Sequence, residues 1–403
     1  AISLGANTLT LSGGGSLVSG GLTLNNASSK LLLNSITVDN VSTTSDNLGL
    51  DVDADSTVTS LSVAHITPVS IASGKTLSGA ITVTAGSIKL AETGTLASSI
   101  SMSGGVLDAD ESLTVSGALS QSGNITIDVA DNKTLTYSGG NLNVGSHTLS
   151  IGGAGTFSNA TGSPLVLDVA DSILNLTDNG TISGPVKLES GTLRSTGSPT
   201  VSGALTQYGD STIEIAETKT LTYEGGAIEI GASALSIIGG GIFANNGSAL
   251  ELNNAASQLK FSRITVDYIR ATADSLGIVV DNTSTVTNFT VGHVTPVSIS
   301  PNQSFNGLIE VYSNSNLLLN NTGTLAADVK ISGLGGKLEA QDNMTFSGSL
   351  QQVDLHEGFE LKIASGKTMT YSGSEFGIGN HTFKLTGGGT LDNTNNLKLD
   401  DPG

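Results

Sequence analysis

The sequence has no cysteine and no tryptophan, and aromatic residues make up only 4% of its 403 positions. Without cysteine there is no disulfide framework of the kind that staples small secreted domains, and no thiol nucleophile or thiolate ligand. With so few aromatic rings, apolar burial must be gathered in small increments from Leu, Ile, Val and Ala. That suits a thin, stacked β structure better than a thick globule. Basic residues are also scarce: 16 Lys and Arg stand against 35 Asp and Glu, for a formal charge of -19. A field of that sign repels phosphate backbones, which argues against a nucleic-acid partner, and it keeps an extended particle soluble. Charged residues are 13% and apolar residues 37% of the chain, so disorder is not the expected outcome. No apolar run approaches the roughly 18 residues of a membrane span. The opening AISLGANTLTL carries neither a basic start nor an apolar signal segment. No stretch keeps apolar residues at helical spacing over three turns, so very low helix content is expected.

What is present is repetition. LNNASSKLLLNSITVD from Leu24 returns as LNNAASQLKFSRITVD from Leu252, an offset of 228. The same offset pairs His65 with His293, Pro68 with Pro296, Gly79 with Gly307 and Val83 with Val311. Further along it drifts, and Lys133 pairs with Lys367 at 234, as small loop insertions on a fixed scaffold would produce. A second motif reads NKTLTYSGG from Asn132, TKTLTYEGG from Thr218 and GKTMTYSGS from Gly366. A third is anchored on Gly5, Gly145, Gly231 and Gly379, at intervals of 140, 86 and 148 residues. The short interval lacks the block from ITVD to HITPVS, yet keeps its flanking elements in order. Deleting such a block would ruin a β-sandwich. A solenoid loses whole coils and restacks, because each coil touches only its neighbours.

Segments such as GAITVTAGSIKL and STIEIAETKTLTY alternate apolar and polar residues with period two, punctuated by Gly, Asn, Asp and Ser. The expected fold is all-β: an elongated parallel β-helix, or β-solenoid, running through 1–403 as one continuous body. Its repeats divide into a long unit 24–163, a short unit 164–251 and a long unit 252–397. At ~20 residues per coil and about 4.8 Å per coil, the chain makes roughly 20 coils and a rod on the order of 100 Å.

The repeated Gly-Lys-Thr-Leu, Thr-Leu-Thr and Ser-Gly-Gly motifs resemble those of bacterial surface adhesins with β-strand repeats, of the autotransporter-passenger and filamentous-haemagglutinin-like kind. The resemblance implies a right-handed parallel β-helix exported to the cell surface. No translocator barrel, secretion cap or calcium-binding toxin nonapeptide is recognisable in the 403 residues.

The residues that carry chemistry read as structural. His65, His147, His293, His356 and His381 are dispersed, four of them at repeat-equivalent positions, whereas zinc sites cluster their ligands. Asp51, Asp53 and Asp55 lack the Gly and the bidentate Glu that complete a calcium loop, and the second copy keeps only Asp281. Asp108, Asp110 and Glu111 weaken to Glu339 and Asp342 in their counterpart. A polysaccharide-cleaving site would need carboxylates converging on one cleft. Asp128, Asp131 and Lys133 could share a face, as could Glu214, Glu217 and Lys219, but such groups recur (Lys367 is a third copy) where a catalytic site is single. Tyr137, Tyr223 and Tyr371 read as half-buried packing between coils rather than as an exposed sugar-binding row. The Thr-x-Thr pairs Thr8/Thr10, Thr134/Thr136 and Thr220/Thr222 come once per unit, short of the pair on every coil that an ice-binding face needs. Sequons at Asn26, Asn40, Asn124, Asn159, Asn175, Asn246, Asn282 and Asn380 are glycosylation candidates if the source glycosylates exported proteins.

The expectation is therefore a non-enzymatic extracellular or cell-surface shaft, with no catalytic, cofactor or metal residues and no cofactor. The alternatives are an adhesin that takes a glycan or protein on its side face, and a polysaccharide-degrading β-helix. Because the opening and closing stretches are copies of one element at an offset of 374, end-to-end self-association or continuation in a longer chain is the expected partnership.

Overall fold

Period-two alternation becomes strands with one face in and one face out. In Lys30–Asn34 the side chains of Leu31 and Leu33 are fully buried while Lys30 and Leu32 are half-buried. The computed structural model describes residues 1–18, 20–353, 358–374, 376–377 and 382–394. Among these there is no helix, and the chain is an all-β parallel β-solenoid of about 18 turns. It divides into two compact units, Ala1–Leu205 and Thr206–Gly403.

In the first unit, strands of successive coils pair in parallel and in register. One inward column runs Ile88, Leu107, Ile127, Ile151, Leu176, and another Leu33, Val52, Ile71. The second unit repeats the device with Ile213, Ile237, Phe261, Val280 and Ile299. Like stacks on like, so each apolar side chain is enclosed by its own kind above and below. The KTLTY tyrosines belong to this interior. Tyr137, Tyr223 and Tyr371 are no more than 1% exposed. Tyr137 stacks on Phe157 at 6.3 Å and Tyr223 on Phe243 at 6.1 Å. The scarce aromatics are concentrated inside rather than displayed, and the burial is complete where the sequence suggested half.

The block that the short interval lacks consists of whole coils. In the first unit it holds the long strands Thr37–Thr43 and Ser56–Val63, with Thr76–Val83 just after it, and in the second Thr265–Ala271 and Ser284–Val291, with Ser304–Val311 just after it. Each of these strands bends midway. At the bend Gly79 has φ +120° and Gly307 φ +116°, and a Cβ there would lie 1.8 Å from the Val58 carbonyl oxygen or 1.7 Å from that of Val286. Only glycine allows the neighbouring coil to approach this closely.

One turn recurs among the described residues, and five copies of it open on the Ala or Ser that follows a strand. The N–H of Lys75, Lys133, Lys219, Gln303 and Lys367 donates to the carbonyl three residues back, at Ala72, Ala130, Ala216, Ser300 and Ala364. The residue before the donor lies in the left-handed region: Gly74, Asn132, Thr218, Asn302 and Gly366, with φ between 57° and 70°. Gly and Asn suit that position, whereas the β-branched Thr218 is strained there.

Candidate functional site

Three of the four anchor glycines are receptors for a buried hydroxyl; the fourth, Gly379, lies outside the described residues. Ser29, Ser172 and Ser257, all fully buried, donate from Oγ to the carbonyls of Gly5, Gly145 and Gly231 on the preceding coil. Each Oγ also accepts a backbone N–H from its own turn, at Asn26, Val169 and Asn254. A hydroxyl that donates and accepts at once satisfies two backbone groups that the corner would otherwise leave unpaired.

The carboxylates do similar work. Asp46, Asp55, Asp274, Asp328 and Asp342 accept the backbone N–H of Ile66, Thr76, Val294, Ser349 and Asn321 on a neighbouring coil, at 2.8–3.2 Å. Lysines pair with carboxylates across coils as well: Asp51 with Lys30, Asp108 and Asp110 with Lys89, Glu111 with Lys133, and Asp342 again, with Lys367 at 2.7 Å. Burial pushes the Asp108 carboxyl above its ordinary range, against the pull of Lys89. Glu339, the most enclosed of them, is held by Lys362 at 2.8 Å and by the Asn316 amide at 3.2 Å. Asp53 and Asp281 are simply exposed. Asp128 follows Asp108 in an outward column, Asp131 bonds the Asn132 side chain, and Lys133 turns to Glu111 instead. Glu214 faces outward in register with Ile238, and Glu217 lines a groove beside Arg263. Among the described residues no three His, Asp or Glu side chains gather as a metal-holding group.

His65 and His293 occupy equivalent turns, each with Nδ1 near the clipping aspartate, 3.8 Å from Asp46 and 3.7 Å from Asp274. His147 is half-buried, while His356 and His381 lie outside the described residues. Of the sequons, Asn159 is buried, its amide donating to the carbonyls of Ser163 and Pro185, so it is closed to modification in the folded chain. Asn26, Asn40, Asn124, Asn246 and Asn282 are exposed, Asn175 is half-buried, and Asn380 lies outside the described residues.

A shallow polar groove of about 260 Å³ lies in the first unit over Ser35, Ile36 and Thr37, and its equivalent of about 290 Å³ in the second over Arg263, Ile264 and Thr265. Both follow from the same corner. Ser35 and Arg263 each have φ 54°, and the next N–H donates to Ser56 or Ser284 Oγ.

Register also exposes what spacing along the chain concealed. Thr134/Thr136, Thr156/Ser158, Thr181/Ser183 and Thr200/Ser202 are outward pairs on four successive coils, rather than one pair per unit. Only the first keeps threonine at both positions. Half-exposed strand surface favours such β-branched and hydroxyl residues without further cause.

The outward columns of the two units differ where their interiors agree. In the first unit one column reads Ser3, Thr23, Ser42, Ser62, Thr82, Ser101, Ser120. The equivalent column of the second reads Glu229, Glu251, Arg270, Thr290, Glu310, Lys330, Gln351. Beside it Tyr268 replaces Asn40, and Tyr312, 44% exposed, replaces Thr84. Arg270 pairs with Glu251 across coils, and the Tyr312 hydroxyl donates to Glu310 Oε2 at 3.4 Å. Hydroxyls suffice to build this surface, as the first unit demonstrates, so the charges and rings of the second exceed what the fold requires. They form the candidate site. The offset of 228 already placed Thr23 opposite Glu251 and Ser42 opposite Arg270, but outward substitutions carried no meaning until register grouped them. Compared with protein-family models, curated proteins and solved structures, the chain finds no match in any of the three.

Proposed function

We propose that the chain is a non-enzymatic structural segment, a rigid shaft outside the cell or on its surface. The observation that carries this reading is where the chemistry-bearing side chains are committed. Carboxylates, lysines and buried serines are engaged in joining one coil to the next, in arrangements that recur from copy to copy. A catalytic site is one constellation, and repetition of the same ion pair at Lys133–Glu111 and Lys367–Asp342 is the mark of scaffolding. An acidic exterior of formal charge -19 keeps such a surface soluble. A second reading, an adhesin that takes a glycan or a protein on its side face, is supported by the charged and aromatic surface of the second unit.

Antibody against the purified chain, applied to intact and to permeabilised source cells, tests the location. Labelling of intact cells is expected, and labelling only after permeabilisation refutes the reading. Incubation with a panel of polysaccharides, read as new reducing ends or unsaturated sugars, is expected to give none above a heat-denatured control.

A further inference from the structure

The charges on the second unit's outward column have an order. Counting coils from Thr290, Arg270 is one coil before and Glu310 one after; Glu251 is two before and Lys330 two after. Reversing the column about Thr290 therefore places Arg270 opposite Glu310 and Glu251 opposite Lys330, while at its ends Glu229 meets the neutral Gln351. A two-fold axis through Thr290, lying along the strand direction, performs that reversal between two molecules. It sets Arg270 against the partner's Glu310 position and Glu251 against the partner's Lys330 position, each twice. The flanking columns obey the same operation. Tyr268 is in register with Asn288 and meets Leu308, two residues before Glu310. Tyr312 meets Thr272, and between them on the axis stands Gly292, which leaves room for the ring. Tyr268 and Leu308 lie on the strands Thr265–Ala271 and Ser304–Val311, Thr272 follows the first of them and is exposed, and Tyr312 is 44% exposed.

We propose that this face of the second unit is a homodimer interface, antiparallel and two-fold symmetric, in which a second copy of the chain is the occupant. An isologous contact needs a self-complementary patch, and this column is one. Its first-unit equivalent, made of Ser and Thr, has no charge to pair. Intramolecular pairing accounts for Glu251 with Arg270 and for the Tyr312 hydroxyl with Glu310, but it accounts neither for Tyr268 nor for the reversal symmetry about Thr290. The proposal concerns the side of the stack and is independent of any end-to-end contact. With so acidic a chain, the arginine and lysine of this face would locally offset the repulsion that otherwise keeps two copies apart.

The test is sedimentation of the full chain at low ionic strength across concentrations. The wild type is expected to show a monomer–dimer equilibrium that added salt shifts to monomer. A quadruple variant carrying the first unit's residues, Glu251→Thr, Arg270→Ser, Glu310→Thr and Lys330→Ser, is expected to keep its circular dichroism and melting profile and to lose the dimer. Arg270→Glu alone sets four acids face to face, and Glu310→Arg alone sets four bases; each is expected to weaken dimerisation on the order of tenfold or more. Mixing the two single variants should restore a dimer, because each then supplies what the other lacks. A wild type that remains monomeric overturns the proposal, as does a dimer that survives the quadruple variant, or single variants that fail to associate when mixed. A monomer that instead retains a glycan or another protein through these residues assigns the face to that occupant and equally overturns it.

Discussion

Replacing Gly79 by alanine sets the closeness of the coils against the covalent geometry of one methyl group. The added Cβ would lie 1.8 Å from the carbonyl oxygen of Val58, so the two coils must part locally by roughly 1.5 Å of a spacing of about 4.8 Å. A separation of that size breaks the adjoining ladder bonds, two or three at ~1 kcal/mol each. The backbone, held at φ +120°, adds ~1–2 kcal/mol of strain for an L-residue. The expected loss is about 3–5 kcal/mol, at the upper end for single substitutions. Gly74 is the control. It too has positive φ, +70°, but its Cβ would meet nothing within 4 Å, so Gly74→Ala should cost only ~1–2 kcal/mol of strain. A stack need not unfold in one step, so the measurement is native-state hydrogen exchange under increasing urea, followed in Ser56–Val63 and Thr76–Val83. Equal costs at Gly79 and Gly74, or a loss of protection spread evenly over the chain, would refute the close-approach argument.

Three further outcomes are expected. Thr218→Asn places at the strained turn the residue that Asn132 and Asn302 already use there, and should raise thermal stability by ~0.5–1 kcal/mol. Ser172→Ala leaves the Gly145 carbonyl and the Val169 N–H without their shared hydroxyl, and should cost about 1–3 kcal/mol, seen as faster exchange at that corner. Lys367, and then the Asn321 N–H, hold the Asp342 carboxyl below its ordinary range, so its contribution is present at neutral pH and lost as pH falls through that lowered value. The stability gap between wild type and Asp342→Asn should be below ~1 kcal/mol at neutral pH, because the pair is exposed, and should close on acidification.

Much of this architecture was legible in the sequence, because its signals are local. Alternation in GAITVTAGSIKL, the 228-residue offset and the KTLTY tyrosines each report a strand, a coil or a core position without knowledge of what lies alongside. Register is not local. Leu31 pairs with Leu50, 19 residues on, while Leu149 pairs with Leu174, 25 residues on. With turns of varying length, the residue facing Thr156 or Arg270 cannot be found by counting at a fixed period. The hydroxyl pairs on successive coils and the charge order about Thr290 stayed hidden for that reason. Two copies of the recurrent turn were missed because only its position is kept: SGKTL at Gly74 has no tyrosine, and PNQSF at Asn302 has neither lysine nor tyrosine. The same dependence on register hid the burial of Asn159, whose partner Pro185 lies on the following coil.

The parallel pairing of coils has a mechanical side. Within each unit the backbone hydrogen bonds between strands point from one coil to the next, along the direction of stacking. Tension applied along that direction loads each interface between coils, with its ladders on separate faces, in series with all the others, and the weakest interface opens first while its neighbours stay shut. Each yielding coil then pays out its contour, ~20 residues at about 3.4 Å each, or roughly 70 Å, before the next interface bears the load. A stack built this way behaves under axial pull as a train of fuses, dissipating work in steps and limiting the peak force that reaches whatever is attached to it.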